Sequence, residues 1–196
     1  MTEKSMDRKT FLREAPLVIL RSVAQGVREA RPLPPEPPLP LLRPPGAAPE
    51  EEFLDLCCGI GACAEACPAD AIQLRPREDD PNRLAPIIVP DEAPCLACEE
   101  LACMAACPSG ALTSVSREAI RIGHARVSAA TCLAWGGVDL SCNYCVDRCP
   151  LGTAAISMEK TAHGKGPAVK EGCIGCGVCE YFCPTHPAAI RVFEGK

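Results

Sequence analysis

The sequence is poor in the large side chains from which small domains ordinarily build a core. Aromatic residues are 4% of its 196 positions, with one Trp, two Tyr and four Phe. No run of 18 apolar residues occurs, so the sequence offers no transmembrane helix. Positive charge is also short. Twenty basic residues stand against 25 acidic ones, a net −5, and this argues against non-specific nucleic-acid binding, which needs a cationic face. Cysteine and proline are abundant instead, at 16 and 21 residues. A chain this thin in apolar bulk and this rich in Cys is held together by cross-links or metal rather than by burial alone. Its length suits one or two small domains.

Composition divides the chain. Residues 1–31 carry seven Lys or Arg against four acids, which leaves the remainder with 13 basic and 21 acidic residues. Nine prolines fall within 32–50, and proline fixes φ and removes a backbone donor. The expected organisation is a basic N-terminal segment at 1–31, an extended proline-rich linker at 32–49 and a folded body at 50–196. Arg8-Lys9-Thr10-Phe11-Leu12-Arg13 is similar to a twin-arginine export motif. Its apolar stretch is cut after six residues by Arg21, however, and no A-x-A cleavage site follows. The other reading is a retained amphipathic helix, in which Phe11, Leu12, Leu20, Val23 and Val27 recur at three- to four-residue steps on several of their pairs. The expectation is a cytoplasmic or membrane-peripheral protein, with export to the periplasm as the alternative.

Four internal repeats account for all sixteen cysteines. Each ends in Cys-Pro followed by a small-residue turn and a short apolar stretch, at Cys67-Pro68, Cys107-Pro108, Cys149-Pro150 and Cys183-Pro184. Four residues before each stands another cysteine: Cys63, Cys103, Cys145 and Cys179. The fourth repeat, Cys173-x2-Cys176-x2-Cys179-x3-Cys183-Pro184, matches the bacterial ferredoxin run for cubane [4Fe–4S] clusters. Three thiolates at three-residue steps on a loop with Gly172, Gly175 and Gly177 converge on one cluster. The fourth cysteine faces away, to a partner cluster. The second repeat is the same run with two extra residues, Cys95-x2-Cys98-x4-Cys103-x3-Cys107. The third, Cys132-x9-Cys142-x2-Cys145-x3-Cys149, holds an inserted loop with Trp135, Gly136 and Gly137.

The first repeat departs from the rule. Aligned on Cys63 and Cys67, its first ligand is Cys57, but its second falls on Ile60, which cannot bind iron, and Cys58 is spare. Two outcomes stay open: Cys58 enters as the missing ligand of a [4Fe–4S] cluster, or one iron is lost and a [3Fe–4S] cluster remains. Competing readings of the cysteines are weak. Four in one short run leave little room for disulfide geometry, and zinc ribbons come as two pairs split by a longer loop. His124, His163 and His186 read as surface residues, and His163-Gly164-Lys165-Gly166 as a turn. The acidic groups at 50–52, 78–80 and 99–100 read as solvated faces.

With these motifs in order, the chain resembles the MauM/NapG family of ferredoxin-type proteins over about residues 42–196. The resemblance rests on Leu42-Arg43-Pro44-Pro45-Gly46-Ala47, Pro94-Cys95-x2-Cys98-Glu99, Cys107-Pro108-Ser109-Gly110-Ala111-Leu112, Cys132-Leu133 and Cys173-x-Gly175-Cys176-Gly177-x-Cys179-Glu180. It implies four clusters relaying electrons between a quinol-side donor and a redox partner, in proteins usually exported by a twin-arginine leader. Ile60 and the degenerate leader depart from the pattern.

The expected fold is small and α+β: two bacterial ferredoxin-like dicluster modules, tandem or nested, stabilised by their clusters. Short strands are expected after each Cys-Pro and a short helix around each fourth cysteine. Gaps of 27, 24 and 23 residues between the runs do not fix which repeats pair; analogy with iron–sulfur subunits of molybdenum enzymes suggests first with fourth and second with third. The expected function is one-electron transfer without catalysis, with Ile60, Met104, Tyr144, Ile174 and Tyr181 packing against the clusters. The expected partners are a membrane quinol oxidase-type donor and a reductase or dehydrogenase acceptor, with peripheral membrane association and no nucleic acid. The alternatives are an iron–sulfur assembly factor for a partner oxidoreductase and an electron-transfer subunit of a larger enzyme.

Overall fold

A computed structural model describes residues 41–162 and 164–195. The expectations for 1–31, for the proline-rich stretch as far as 40 and for His163 lie outside the described residues. From Leu42 onward the chain is packed, although 41–49 were expected to be linker. Leu42, Pro44 and Pro45 are fully buried, the Leu42 carbonyl accepts from Ile88 N–H at 2.8 Å, and Ala47 bridges Leu112. Proline has no N–H to satisfy, so such a stretch enters a core at low polar cost.

The elements are short. After α1 (Glu50–Leu56), four one-turn helices lie inside the cysteine runs: α2 (Ala62–Glu65), α3 (Ala102–Ala105), α4 (Tyr144–Asp147) and α5 (Val178–Tyr181). Each carries the third cysteine of its repeat, not the fourth as expected. The fourth precedes proline, whose ring clashes with an α-conformation at the residue before it, so each helix ends short of it.

Six strands form three antiparallel pairs. β1 (Ile72–Pro76) pairs with β2 (Leu84–Ile88), β3 (His124–Val127) with β6 (Ile190–Phe193), and β4 (Ile156–Thr161) with β5 (Gly164–Val169). Three of the four Cys-Pro sites are thus followed by a strand; after Cys107-Pro108 there is only the Leu112 bridge. The pattern occurs twice. Residues 46–48 before the first repeat bond to 111–113 after the second, through Thr113 N–H to Gly46 and Ala48 N–H to Ala111. The β1–β2 hairpin lies between them in sequence. Likewise β3 before the third repeat pairs with β6 after the fourth, and the β4–β5 hairpin lies between.

Two-stranded ribbons are marginal alone, and one apolar core, with Phe53, Ile88, Ile120 and Ile174 at its centre, backs them. The loop inserted in the third repeat is pinned to β5. The Trp135 indole N–H donates to the Pro167 carbonyl at 3.0 Å, and its ring lies where a Cβ on Gly166 would come within 2.5 Å. All described residues fall in one compact unit. Among them, no helix is long and apolar enough to cross a membrane.

Candidate metal centres

The loops and one-turn helices line four cavities. Together they take up all sixteen cysteines, four to a cavity. The first is lined by Cys57, Cys58, Cys63 and Cys107, and the second by Cys67, Cys95, Cys98 and Cys103. The third is lined by Cys132, Cys142, Cys145 and Cys183, and the fourth by Cys149, Cys173, Cys176 and Cys179. Every cavity takes three sulfurs from its own repeat and one from another. The exchange runs between first and second repeats and between third and fourth. The pairing suggested by analogy, first with fourth and second with third, is not what the fold brings together; the strand pairing decides, and equal gaps carry no trace of it.

The local conformation follows the spacing. α2 and α5 start from Gly61 and Gly177, both at φ +86°, a region open to glycine without cost. The two extra residues of the second repeat put Leu101 at this position, at φ +46°, a conformation that costs an L-residue about 1–2 kcal/mol. Among the described residues, no three Cys, His, Asp or Glu side chains are close enough to share one metal ion. Four sulfurs spread around an enclosed gap fit a polynuclear group better than a zinc ion, whose thiolates all sit about 2.3 Å from one centre.

Burial dominates the thiols. It pushes Cys95 and Cys145 up to about 12 and Cys103 and Cys176 up to about 11, with neighbouring thiols adding to the rise. Such groups ionise on meeting a metal, since a coordinating thiol gives up its proton. Cys107 and Cys183 differ. Burial opposes their ionisation too, but hydrogen bonds to sulfur outweigh it and bring both below the ordinary thiol value. Leu112 N–H donates to Cys107 Sγ at 3.4 Å and Ala189 N–H to Cys183 Sγ at 3.3 Å, and the hydroxyls of Ser109 and Thr185 stand beside the same sulfurs.

α2 packs on α3, bringing the first cavity against the second, and α4 packs on α5, bringing the third against the fourth. The two pairs meet where Cys95 N–H, in the second, donates to the Cys176 carbonyl, in the fourth, at 2.9 Å. Followed through these contacts, the cavities form a file in the order first, second, fourth, third. Both ends expose large apolar side chains: Ile60 at one, and Val138, Leu140 and Tyr144 at the other.

Of the residues expected to pack on the clusters, Ile60, Tyr144 and Ile174 line cavities. Met104 is buried in the core and Tyr181 stacks edge-on against Phe182, and neither lines one of the four cavities. His124 lies on β3 and His186 is exposed. The acidic groups are not all solvated faces. Glu50 takes two hydrogen bonds from Arg43, whose guanidinium also lies over Phe53, and Asp79 binds the buried Arg77. Sequence reasoning missed Glu180, Ser109 and Thr185. The hydroxyls had a signal, Cys-Pro-Ser and Cys-Pro-Thr against Cys-Pro-Ala and Cys-Pro-Leu; buried Glu180 had none beyond its place after Cys179.

Comparison with known proteins agrees with this geometry. The family model for a 4Fe-4S dicluster domain matches residues 56–136 and again 140–187. The methylamine utilization ferredoxin-type protein MauM of Methylophilus methylotrophus is 34% identical over 94% of this chain and 83% of its own length. MauM of Paracoccus denitrificans is 38% identical over 77% of this chain and 70% of its own length. The ferredoxin-type protein NapG of Escherichia coli is 37% identical over 77% and 69%. The chain belongs to the MauM and NapG family of ferredoxin-type iron–sulfur electron-transfer proteins.

Proposed function

We propose that this protein relays single electrons through four iron–sulfur centres, arranged as two tandem dicluster modules, between a quinol-side donor and a redox enzyme. The observation that carries the reading is the distribution of sixteen cysteines, four to each of four cavities. A bound cluster of this class supplies a one-electron couple whose potential follows charge, burial and hydrogen bonds to sulfur.

The chain's own residues do the rest. Three cysteines of a repeat and the fourth of its partner hold each centre, and the apolar linings, such as Ile174 and Val192 in the fourth cavity, keep water from it. The backbone contact between Cys95 and Cys176 sets the two inner cavities side by side. In the first cavity Cys58 and Ile60 both line the wall and both are exposed, but of the two only Cys58 carries a sulfur, so Cys58 is the fourth ligand of a [4Fe–4S] centre in this reading. The exposed apolar ends of the file are where redox partners would approach.

The test is iron and acid-labile sulfide content of anaerobically purified protein, with low-temperature EPR of the oxidised sample. Roughly sixteen irons and an EPR-silent oxidised state are expected. Roughly fifteen, with a [3Fe–4S] signal, would reassign the first cavity. Zinc without sulfide would overturn the electron-transfer reading.

A further inference from the structure

The residue two places after each fourth cysteine differs between repeats: Ala69, Ser109, Leu151 and Thr185. Where it has a hydroxyl, the hydroxyl touches sulfur. Ser109 Oγ lies 3.6 Å from Cys107 Sγ, which lines the first cavity. Thr185 Oγ1 lies 3.2 Å from Cys183 Sγ, which lines the third. The Thr185 oxygen also accepts Ala189 N–H at 2.8 Å, which fixes the oxygen and leaves its proton free for the sulfur. A cysteine sulfur bound to iron carries no proton, so in the loaded protein the hydroxyl must be the donor. Ala69 and Leu151, beside the sulfurs given to the second and fourth cavities, have no side-chain hydroxyl to donate, and Leu151 offers Cys149 only its backbone N–H.

We propose that Ser109 and Thr185 set potentials: each donates a hydroxyl hydrogen bond to the sulfur that crosses into the first or third cavity, making the centre there easier to reduce. The inference rests on the four-centre reading above. Reduction adds one electron from the redox partner and moves no proton. The added negative charge spreads onto the sulfurs, where a hydrogen bond to them stabilises the reduced state more than the oxidised one. The partly buried setting strengthens the effect. Because the first and third cavities end the file, the hydroxyls sit at the outermost centres and the inner pair lacks them.

The experiment is a potentiometric titration of the full-length, iron-loaded protein, followed by EPR, for wild type, Ser109→Ala, Thr185→Val and Thr185→Ser. Ser109→Ala is expected to lower one midpoint and Thr185→Val a different one, each by a tenfold change in the reduction equilibrium, about 59 mV for one electron. The double variant moves both, Thr185→Ser restores the wild-type value, and iron and sulfide stay unchanged. Unmoved midpoints at full iron content, or a Thr185→Ser variant that behaves like Thr185→Val, overturn the proposal. Should either deletion lose its centre, Ala69→Ser and Leu151→Thr carry the test in the other direction. Each is expected to raise one inner midpoint, and no rise overturns the proposal. A wild-type protein without iron and sulfide would instead bring down the four-centre reading itself, a result distinct from full loading with unmoved midpoints.

Discussion

Replacing Glu180 by alanine should loosen β6 at one amide. The carboxylate is 7% exposed; its Oε2 accepts the Val192 N–H at 2.6 Å and its Oε1 lies 3.5 Å from Arg191 Nε. This contact ties the helix that carries Cys179 to the strand that closes the third and fourth repeats. Val192 is itself buried, so the alanine variant strands a donor away from water, at a cost of about 1–3 kcal/mol. Arg191 is half-exposed, and its ion pair adds about 0.5 kcal/mol. A loss of about 2 kcal/mol corresponds to roughly 30-fold faster opening. Glu180→Gln keeps an acceptor and removes only the charge. Burial already pushes the Glu180 carboxyl above the usual range, against the pull of Val192 N–H and Arg191, so this variant should stay within about 0.5 kcal/mol of wild type. The assay is amide hydrogen exchange at Val192 in the anaerobic, iron-loaded protein. An alanine variant exchanging at the wild-type rate would refute the reasoning. So would a glutamine variant as fast as alanine, because charge and not satisfaction of the donor would then be the cause.

Cys107→Ser should remove the centre of the first repeat although the residue belongs to the second; iron content should fall, with the second-cavity EPR signal intact. Cys58→Ser should convert the first centre to a three-iron form with an oxidised EPR signal, and adding Ile60→Cys should restore four irons. Arg43→Ala removes two hydrogen bonds to Glu50, one to the Pro86 carbonyl and a cation–π contact with Phe53. It should cost about 2 kcal/mol, read as a lower urea midpoint for cluster loss. Gly177→Ala combines a left-handed φ with a Cβ 2.5 Å from Pro90 Cβ, and should lower iron occupancy while Gly110→Ala, whose Cβ meets nothing within 4 Å, lowers it less.

The site was more legible in the sequence than the fold around it. Sulfur chemistry demands particular residue types at particular steps, so the runs ending at Cys67, Cys107, Cys149 and Cys183 announced both which cysteines gather around each cavity and the need for a partner run. Which run is the partner is settled by pairings such as His124 with Phe193 and Ala47 with Leu112, contacts between distant segments that share no local signal. The helix boundaries differ from the expected ones because the proline after each fourth cysteine bars helix at the residue before it, so the turn of helix centres on the third cysteine instead. Pro44 and Pro45 looked like linker because their composition matches the stretch before them, and only the Leu42–Ile88 bond shows that the core begins there. Buried Glu180 and Arg77 were invisible, since a charged side chain carries no mark in sequence of the carbonyl or amide that will receive it.

The crossing of every fourth sulfur into the neighbouring repeat gives this chain an arithmetic of even numbers. One repeat by itself leaves a three-sulfur cavity and a cysteine with no cavity to enter, so the unit that can be gained, lost or exchanged intact is the pair. Between Cys57 and Cys183, a cut orphans no sulfur and opens none of these strand pairings only between Thr113 and His124, after the first pair has closed and before the second begins. Lineages built on this scaffold would lengthen or shorten in steps of two centres, and a relative with an odd number of complete runs would have had to replace the missing sulfur from elsewhere.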